Sequence, residues 1–107
     1  MAAASGSAEA EPVHGGTYIA FEGIEGAGKS TVARAVADAL TATGASVVEV
    51  REPGSTEAGE AIRQVLLHGG ALEPGTEALL FAAQRAQLAA EVVRPALAAG
   101  SVVISDR

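Results

Sequence analysis

The chain has 107 residues, of which 49% are hydrophobic, and its net charge is −6 because 13 acidic residues outnumber 7 basic ones. This length allows at most one domain, and the acidic balance disfavours nucleic acid or an anionic membrane surface as a partner. The sequence contains no cysteine, which excludes a disulfide framework and a thiolate metal site.

The first sixteen residues, Met1 to Gly16, are rich in alanine, glycine, serine and glutamate and contain no lysine or arginine. Because they also lack an apolar core segment, we predict a disordered N-terminal tail at 1–16 and not a secretory signal. No run of about 20 apolar residues is present that could span a bilayer. We therefore expect residues 17–107 to form the folded part of a soluble, cytoplasmic protein that has no membrane partner.

A glycine-rich segment follows the first predicted strand, Tyr18–Phe21. Gly23 and, after four residues, Gly28-Lys29-Ser30 fit the pattern G-x-x-x-x-G-K-[ST] of a phosphate-binding loop. In such a loop the backbone N–H groups, the lysine and the dipole of the next helix bind nucleotide phosphates, and the serine hydroxyl can bind Mg²⁺. The residues predicted to bind a nucleotide triphosphate with Mg²⁺ are Gly23, Ile24, Glu25, Gly26, Ala27, Gly28, Lys29, Ser30 and Thr31.

The alternative is a glycine-rich turn that matches this pattern by chance. Two observations weigh against it. The loop lies between a predicted strand and an amphipathic helix, as the motif requires. Lys29 is also the only lysine, because the other six cations are all arginines, and a compact ammonium suits a phosphate site.

Further elements follow the loop at spacings typical of alternating helices and strands. In chain order they are a helix ending near Gly44, a strand over Val47–Val50, a helix capped by Thr56 and ended by Gly69-Gly70, a helix from Thr76 to about Val93, and a strand over Ser101–Ser105. Pro95 is expected either to kink the last helix or to begin a short separate helix that ends at Gly100.

Strands separated by helices predict an α/β fold, with a parallel sheet and helices on both of its faces. Ligands of such sheets bind beyond the carboxyl ends of the strands. The segments that follow the three strands begin at Gly23, at Arg51-Glu52 and at Asp106-Arg107. We therefore expect these three segments to gather at one edge of the sheet and to form the site.

Several segments carry a more specific resemblance. They are 21–31 (FEGIEGAGKST), 51–54 (REPG), 79–87 (LLFAAQRAQ), 94–97 (RPAL) and 103–107 (VISDR). In this combination the sequence resembles the thymidylate kinase family of the bacterial type, which has the fold of the P-loop nucleoside monophosphate kinases. The resemblance implies transfer of the γ-phosphate of ATP to thymidine monophosphate (dTMP), with Mg²⁺.

For the donor side, the resemblance implies that Lys29 and the loop amides hold the phosphates of ATP. Ser30 and Asp106 would hold Mg²⁺, directly or through water. The alternative for Asp106 is a helix cap after a buried strand. Phosphoryl transfer requires mainly positioning and charge neutralisation, so Lys29 and Asp106 would act together with two arginines.

For the acceptor side, the resemblance implies that Arg51 and Arg107 grip the phosphate of dTMP and complete the catalytic set. Glu25 would face the sugar hydroxyl, Phe81 would stack on the pyrimidine, and Arg85 would donate to a base carbonyl. The alternatives are solvated surface arginines at strand ends and a core phenylalanine beside a surface arginine.

The chain also departs from the pattern of this family in several respects. Family members are roughly twice as long and are expected to be homodimers, so the sheet in this chain should be incomplete. Gly26 occupies the loop position where the other type of the family has a catalytic arginine, and the bacterial type supplies that arginine from a later lid. Ser55 stands where a second glycine is usual, which affects the expected loop shape. Two rival hypotheses are a nucleotide-binding fragment without activity and another P-loop nucleoside monophosphate kinase.

Overall fold

The computed structural model describes residues 15–23 and 28–107. The predicted tail at 1–14 and the loop residues Ile24, Glu25, Gly26 and Ala27 lie outside the described residues. Eight elements follow one another along the described chain. They are β1 (Thr17–Phe21), α1 (Lys29–Ala42), β2 (Val47–Arg51), α2 (Glu57–His68), α3 (Pro74–Leu88), a π-helical segment (Ala89–Val93), α4 (Arg94–Ala98) and β3 (Val102–Asp106).

The strands form one parallel sheet in the order β1-β3-β2. The central strand β3 is almost fully buried over Val103, Ile104 and Ser105. β1 lies at an edge of the described sheet, and Thr17, Tyr18 and Ala20 are exposed there. The predicted α/β class and the parallel pairing are confirmed.

The core has two halves because alternate side chains of β3 point to opposite faces of the sheet. On one face, Ile104 packs with Ala33 and Ala37 of α1. On the other face, Val103 packs with Val50 of β2 and with Leu88 at the end of α3. Helices therefore cover both faces, as predicted.

The long helix near the C-terminus differs from the prediction at its start. It begins at Pro74, with Glu73 as its N-cap, and not at Thr76. Proline suits the first helical turn because its missing N–H would have no partner there. At the other end the helical residues run to Val93 as predicted, and Pro95 lies in the first turn of the short helix α4, which is one of the two predicted alternatives. The helix continues through five π-helical residues into α4, and the N–H of Arg94 donates to the carbonyl of Ala89, five residues earlier. This wider turn accommodates the proline, which cannot donate and would crowd the carbonyl four residues before it.

The strand boundaries differ from the predictions by one residue. β2 runs to Arg51 and not to Val50, and β3 covers Val102–Asp106 and not Ser101–Ser105. Arg51 and Asp106 are therefore the last residues of regular strands, which fixes their backbones by ladder hydrogen bonds. Among the helices in the described ranges, none combines the length and the apolar character that a membrane span requires.

Thr56 caps α2 as predicted: its side chain accepts a hydrogen bond of 2.8 Å from the N–H of Gly59. Thr56→Ala removes this partner, and we expect it to lower the free energy of unfolding by about 1 kcal/mol. Denaturant unfolding measures the change. Thr76→Ala is the matched control, because Thr76 is an exposed residue in the first turn of α3. An equal loss in both variants would contradict the role of the cap.

Candidate active site at the carboxyl ends of the strands

The three strands end at the same level. Phe21 and Arg51 are both register partners of Asp106. Beyond the strands, the N–H of Glu52 donates to the carbonyl of Asp106 and the N–H of Arg107 donates to the carbonyl of Phe21, each at 3.0 Å. The backbone that follows each strand is therefore held in place, and the predicted gathering at one edge of the sheet is observed for these segments.

A polar cavity of about 200 Å³ opens at this edge. Its lining residues come from β2, β3 and the helices α1 and α2 and are Lys29, Ser30, Arg51, Glu52, Arg63, Asp106 and Arg107. The four residues predicted to be catalytic, Lys29, Arg51, Asp106 and Arg107, thus lie around one space. Their catalytic roles stay predictions, since proximity alone does not test them.

Lys29 and Ser30 contact Asp106 from the first turn of α1. The Lys29 ammonium forms an ion pair with Oδ1 of Asp106, and the Ser30 hydroxyl donates to Oδ2 at 2.6 Å. The hydrogen bonds from Lys29 and then from Ser30 hold the pKa of Asp106 below its ordinary value. Asp106 therefore carries a full negative charge at neutral pH, and its role at a metal ion stays a prediction.

The side-chain oxygen atoms of Ser30 and Asp106 are suitable ligands for Mg²⁺. A hydroxyl and a carboxylate oxygen lie within 2.6 Å of each other, and both are the hard oxygen ligands that this ion prefers. The described residues contain no group of three or more histidine or acidic side chains that could enclose a metal. An ion held here would complete its shell with water and phosphate oxygens, which is the usual arrangement for Mg²⁺.

The start of α1 also suits an anion. Gly28 is the N-cap with φ of 81°, a left-handed conformation that favours glycine, and no acidic residue occupies the first turn. No acidic residue of the helix itself therefore opposes an anion at the positive end of the helix dipole, and the nearby carboxylate of Asp106 already pairs with Lys29. Of the other predicted loop residues, Gly23 and Thr31 are exposed beside the site.

Ser55, in the loop after β2, and Glu60 of α2 hold Arg51 in place. Nη2 of Arg51 donates to both carboxylate oxygens of Glu60, at 3.0 and 3.2 Å, and the N–H of Ser55 donates to Glu60 at 3.0 Å. The Ser55 N–H, followed by Arg51, holds the pKa of Glu60 below its ordinary value. Ser55 itself has φ of 73°, so it adopts the left-handed conformation of the glycine it replaces. Its hydroxyl accepts from the Arg51 N–H at 2.7 Å, which supports the turn.

Glu52, which the sequence did not single out as a functional residue, is the most highly bonded side chain of the site. Its side chain is only 3% exposed. Five side chains donate to its two oxygens: Arg85 and Gln84 to Oε1, and Ser105, Tyr18 and Arg107 to Oε2. Its position directly after Arg51, at the end of a predicted strand, was the available signal.

Burial raises the pKa of Glu52, but the hydrogen bonds from Arg85 and Ser105 outweigh it. The net result lowers the pKa of Glu52 from 4.5 to about 2. The carboxylate is therefore charged throughout the neutral range, and it can serve as an acceptor only.

Arg63 also escaped the sequence analysis. It lies on α2, a helix for which the sequence predicted no functional residue. Its Nη1 donates to the carbonyl of Pro53 at 3.0 Å, and the side chain lines the polar cavity. Its spacing of three residues from Glu60 places both on one face of the helix, which was the only signal in the sequence.

A second, mainly apolar cavity of about 220 Å³ adjoins the first. Its lining residues are Tyr18, Glu52, Arg85, Leu88, Ala89, Val93 and Arg107. Glu52 and Arg107 thus line both cavities. Phe81 lies one turn before Arg85 on α3 and is 38% exposed, so it is not the core residue of the alternative interpretation.

Comparisons with known proteins agree on one family. The profile of the family described as thymidylate kinase matches residues 21–107. A thymidylate kinase of Bifidobacterium longum strain DJO10A is 54% identical over 97 residues, which cover 86% of this chain and 47% of that protein. A thymidylate kinase of Bacillus licheniformis is 52% identical over 94 residues, covering 86% of this chain and 44% of that protein. The chain therefore spans about half the length of these relatives.

A solved structure gives the same result for the fold. The crystal structure of thymidylate kinase from Ehrlichia chaffeensis superposes with a TM-score of 0.81 at 35% identity, covering 87% of this chain and 53% of that one. The three parallel strands and their helices thus have the fold of the P-loop nucleoside monophosphate kinases. The sheet described here is a part of that fold.

The lowered pKa of Glu52 links stability to pH. A carboxyl with a pKa of about 2 in the folded state and 4.5 as its ordinary value contributes stability above the ordinary pKa and loses it as pH falls toward the folded one. The contribution is roughly 3 kcal/mol at neutral pH. We expect Glu52→Gln to flatten the loss of unfolding free energy as pH falls from about 5 to 3.

Denaturant unfolding at a series of pH values measures this difference. The matched control is Glu49→Gln, three residues earlier, where an exposed carboxylate pairs with Arg34 at 2.9 Å. The control should keep the wild-type slope. A Glu52→Gln slope equal to that of the wild type would show that the buried carboxylate does not contribute to acid sensitivity.

Proposed function

We propose, because the chain belongs to the thymidylate kinase family, that its protein transfers the γ-phosphate of ATP to dTMP and yields thymidine diphosphate. The observation that carries this proposal is the arrangement of Lys29, Arg51, Asp106 and Arg107 around one polar cavity at the strand ends. The positive charges of Lys29, Arg51 and Arg107 suit two phosphate groups, and the carboxylate of Asp106 would help to hold a metal ion that neutralises charge on them.

On the donor side, Lys29 and the N–H groups at the start of α1 would bind the β- and γ-phosphates of ATP. Ser30 and Asp106 would hold Mg²⁺, which when bound neutralises charge on the donor phosphates. The Lys29 ammonium, which pairs with Asp106 in this structure, would donate to phosphate oxygens once a nucleotide is bound. Residues 23–27 would complete the loop around the phosphates.

On the acceptor side, Arg51 and Arg107 present planar guanidinium groups that can bind a phosphate in a bidentate way. Arg107 forms an ion pair with Glu22 at 2.6 Å. The hydrogen bond to Glu22 is the main reason that the pKa of Arg107 lies above its ordinary value. The base would lie toward Arg85 and Phe81, next to the apolar cavity, and Glu25 would face the sugar.

The reaction then consists of a direct displacement. An oxygen of the dTMP phosphate attacks the γ-phosphorus, the bond from that phosphorus to the β,γ-bridging oxygen breaks, and ADP leaves with the bonding electrons. The attacking phosphate oxygen is already ionised at neutral pH, so no residue has to remove a proton. The protein contributes alignment and compensation of negative charge.

The remaining proposals concern location and assembly. We propose a cytoplasmic enzyme without a nucleic-acid partner, consistent with the net charge of −6. A homodimer would bury the exposed apolar side chains of α2 and α3, Val65, Leu67 and Leu79, since large exposed apolar groups on adjacent helices favour association.

Nucleotide binding without turnover is a second candidate for the 107-residue chain by itself. The observation that favours it is the unpaired outer edge of β1 within the described sheet, because an open edge strand favours association with other chains over a stable monomer. Measuring nucleotide binding and turnover on both this chain and the product of the complete coding sequence separates the two candidates.

A panel of nucleoside monophosphates tests the substrate. We expect the product of the complete coding sequence, given ATP and Mg²⁺, to form diphosphate from dTMP with a kcat/KM at least about 100-fold above that for adenosine, guanosine or cytidine monophosphate, because Arg85 and Phe81 are suited to a pyrimidine with carbonyl acceptors. Coupled detection of ADP measures turnover. A preference for another monophosphate would assign the protein to a different kinase of the P-loop group.

Removal of the lysine tests the donor side. Lys29→Ala should lower kcat by about 100-fold or more, the usual effect of losing one preorganised charge at the reacting phosphates. Arg34→Ala is the matched control, because Arg34 lies one turn further along α1 and its exposed side chain pairs with Glu49. Circular dichroism verifies that both variants fold. Undiminished turnover of Lys29→Ala would remove the loop from the mechanism.

A further inference from the structure

We propose that Glu52 is a positioning residue that holds the two acceptor-side arginines, Arg85 and Arg107, at a fixed separation and so sets the affinity for the acceptor monophosphate. This inference rests on the proposed function. It assigns a role to a buried carboxylate that would itself touch neither the nucleotide nor the metal ion.

The contacts of the two arginines support this role. Nε of Arg85 donates to Oε1 of Glu52 at 2.7 Å, and Nε of Arg107 donates to Oε2 at 3.3 Å. Each arginine uses its inner nitrogen for this bond. For Arg85, no acceptor from the described residues bonds to the two Nη groups at the end of the side chain. For Arg107, Nη1 donates to the exposed carboxylate of Glu22 at 2.6 Å, and Nη2 has no acceptor among the described residues. The end of Arg85 and Nη2 of Arg107 can therefore face a ligand while Glu52 fixes the stems.

The carboxylate can fix them because it is itself immobile. It accepts hydrogen bonds from Gln84 at 3.2 Å, from Ser105 at 3.0 Å and from Tyr18 at 3.1 Å. Gln84 and Ser105 are fully buried. A side chain with this many donors from β1, α3 and β3 cannot rotate into the cavity without leaving buried donors unpaired, and each such loss is costly.

The Glu52 carboxylate is more deeply buried than the two arginines that it binds. The side chain of Glu52 is 3% exposed, that of Arg107 27% and that of Arg85 52%. One buried negative charge thus stands behind two positive charges that reach the surface. The exposed carboxylate of Glu22 offsets one of these positive charges by pairing with Arg107 at 2.6 Å. A phosphate at Arg107 would therefore share or replace this partner, whereas the end of Arg85 stays available for a base carbonyl.

The two cavities indicate how a nucleotide would lie against this cluster. Glu52 and Arg107 line both the polar and the apolar cavity, whereas Arg85 lines the apolar one alone. A nucleotide that places its phosphate in the first and its base toward the second has to span this shared wall. The separation of the two arginines must then match the length of the nucleotide, and Glu52 is the residue that connects them.

Glu52→Gln in the product of the complete coding sequence tests the inference. The amide keeps the shape but brings an NH₂ group against donors, and an arginine Nε cannot accept from it. We expect the KM for dTMP to rise roughly 10- to 100-fold, the range for losing hydrogen bonds to a charged group. The KM for ATP and the kcat at saturation should stay within about threefold of the wild type, because no donor-side side chain bonds to the Glu52 carboxylate and the backbone bond from Glu52 to Asp106 is kept in the variant.

Two further variants separate positioning from a merely structural role. Glu49→Gln makes the same charge change on β2 beside Arg34 and should leave both KM values unchanged. Ser105→Ala removes one donor to Glu52 from a residue that is fully buried and cannot reach a nucleotide. It should still raise the KM for dTMP, by about three- to tenfold, without changing the KM for ATP. If Glu52→Gln does not fold, this variant decides the question.

The outcomes are distinct. A folded Glu52→Gln variant, or a Ser105→Ala variant in its place, with a wild-type KM for dTMP overturns the inference and leaves the proposed function intact. Equal increases in the KM values for dTMP and ATP also overturn it, because they indicate a general loss of structure. A wild-type protein that turns over no monophosphate overturns the proposed function, and the inference with it.

Discussion

The site depends on the register of three parallel strands. Because Phe21, Asp106 and Arg51 lie side by side, the segments that leave the sheet start from one line. Hydrogen bonds beyond the strand ends extend this alignment to Glu52 and Arg107. A shift of one residue in any strand would turn its side chains to the opposite face. The two-sided core, with Ile104 on one face and Val103 on the other, prevents that shift.

The chain is acidic as a whole, but most of the charged residues around the site are basic. The chain as a whole is acidic, with a net charge of −6, yet Lys29, Arg51, Arg63 and Arg107 surround one small cavity. Carboxylates pair with three of these cations, Asp106 with Lys29, Glu60 with Arg51, and both Glu22 and Glu52 with Arg107, which limits the repulsion among the cations. These cations favour the binding of a small anion in the cavity, although the chain as a whole is acidic.

The sequence allowed the strands, the parallel sheet and the gathering of the segments that follow the strands to be predicted, because periodicity and the loop motif depend on neighbours in the chain. The roles of the site residues stay predictions. Strand ends were off by one residue, since the last ladder bond depends on the partner strand. Glu52 and Arg63 could not be recognised, because their roles come from contacts with residues that are distant in sequence. Ser55 was noted as a departure, but only the structure showed that it adopts the conformation of a glycine.

The five π-helical residues, Ala89–Val93, set the rotational phase of α3 relative to the sheet. One residue of a regular α-helix corresponds to a rotation of about 100°. The wide turn absorbs one extra residue, so Leu88 and Val93 both pack on the sheet although they are five positions apart. A deletion of one residue in this segment would rotate the upstream helix about its axis and swing Arg85 away from its cavity. The length of this π-helical segment therefore determines the direction of the Arg85 side chain, which lies one helical turn before it.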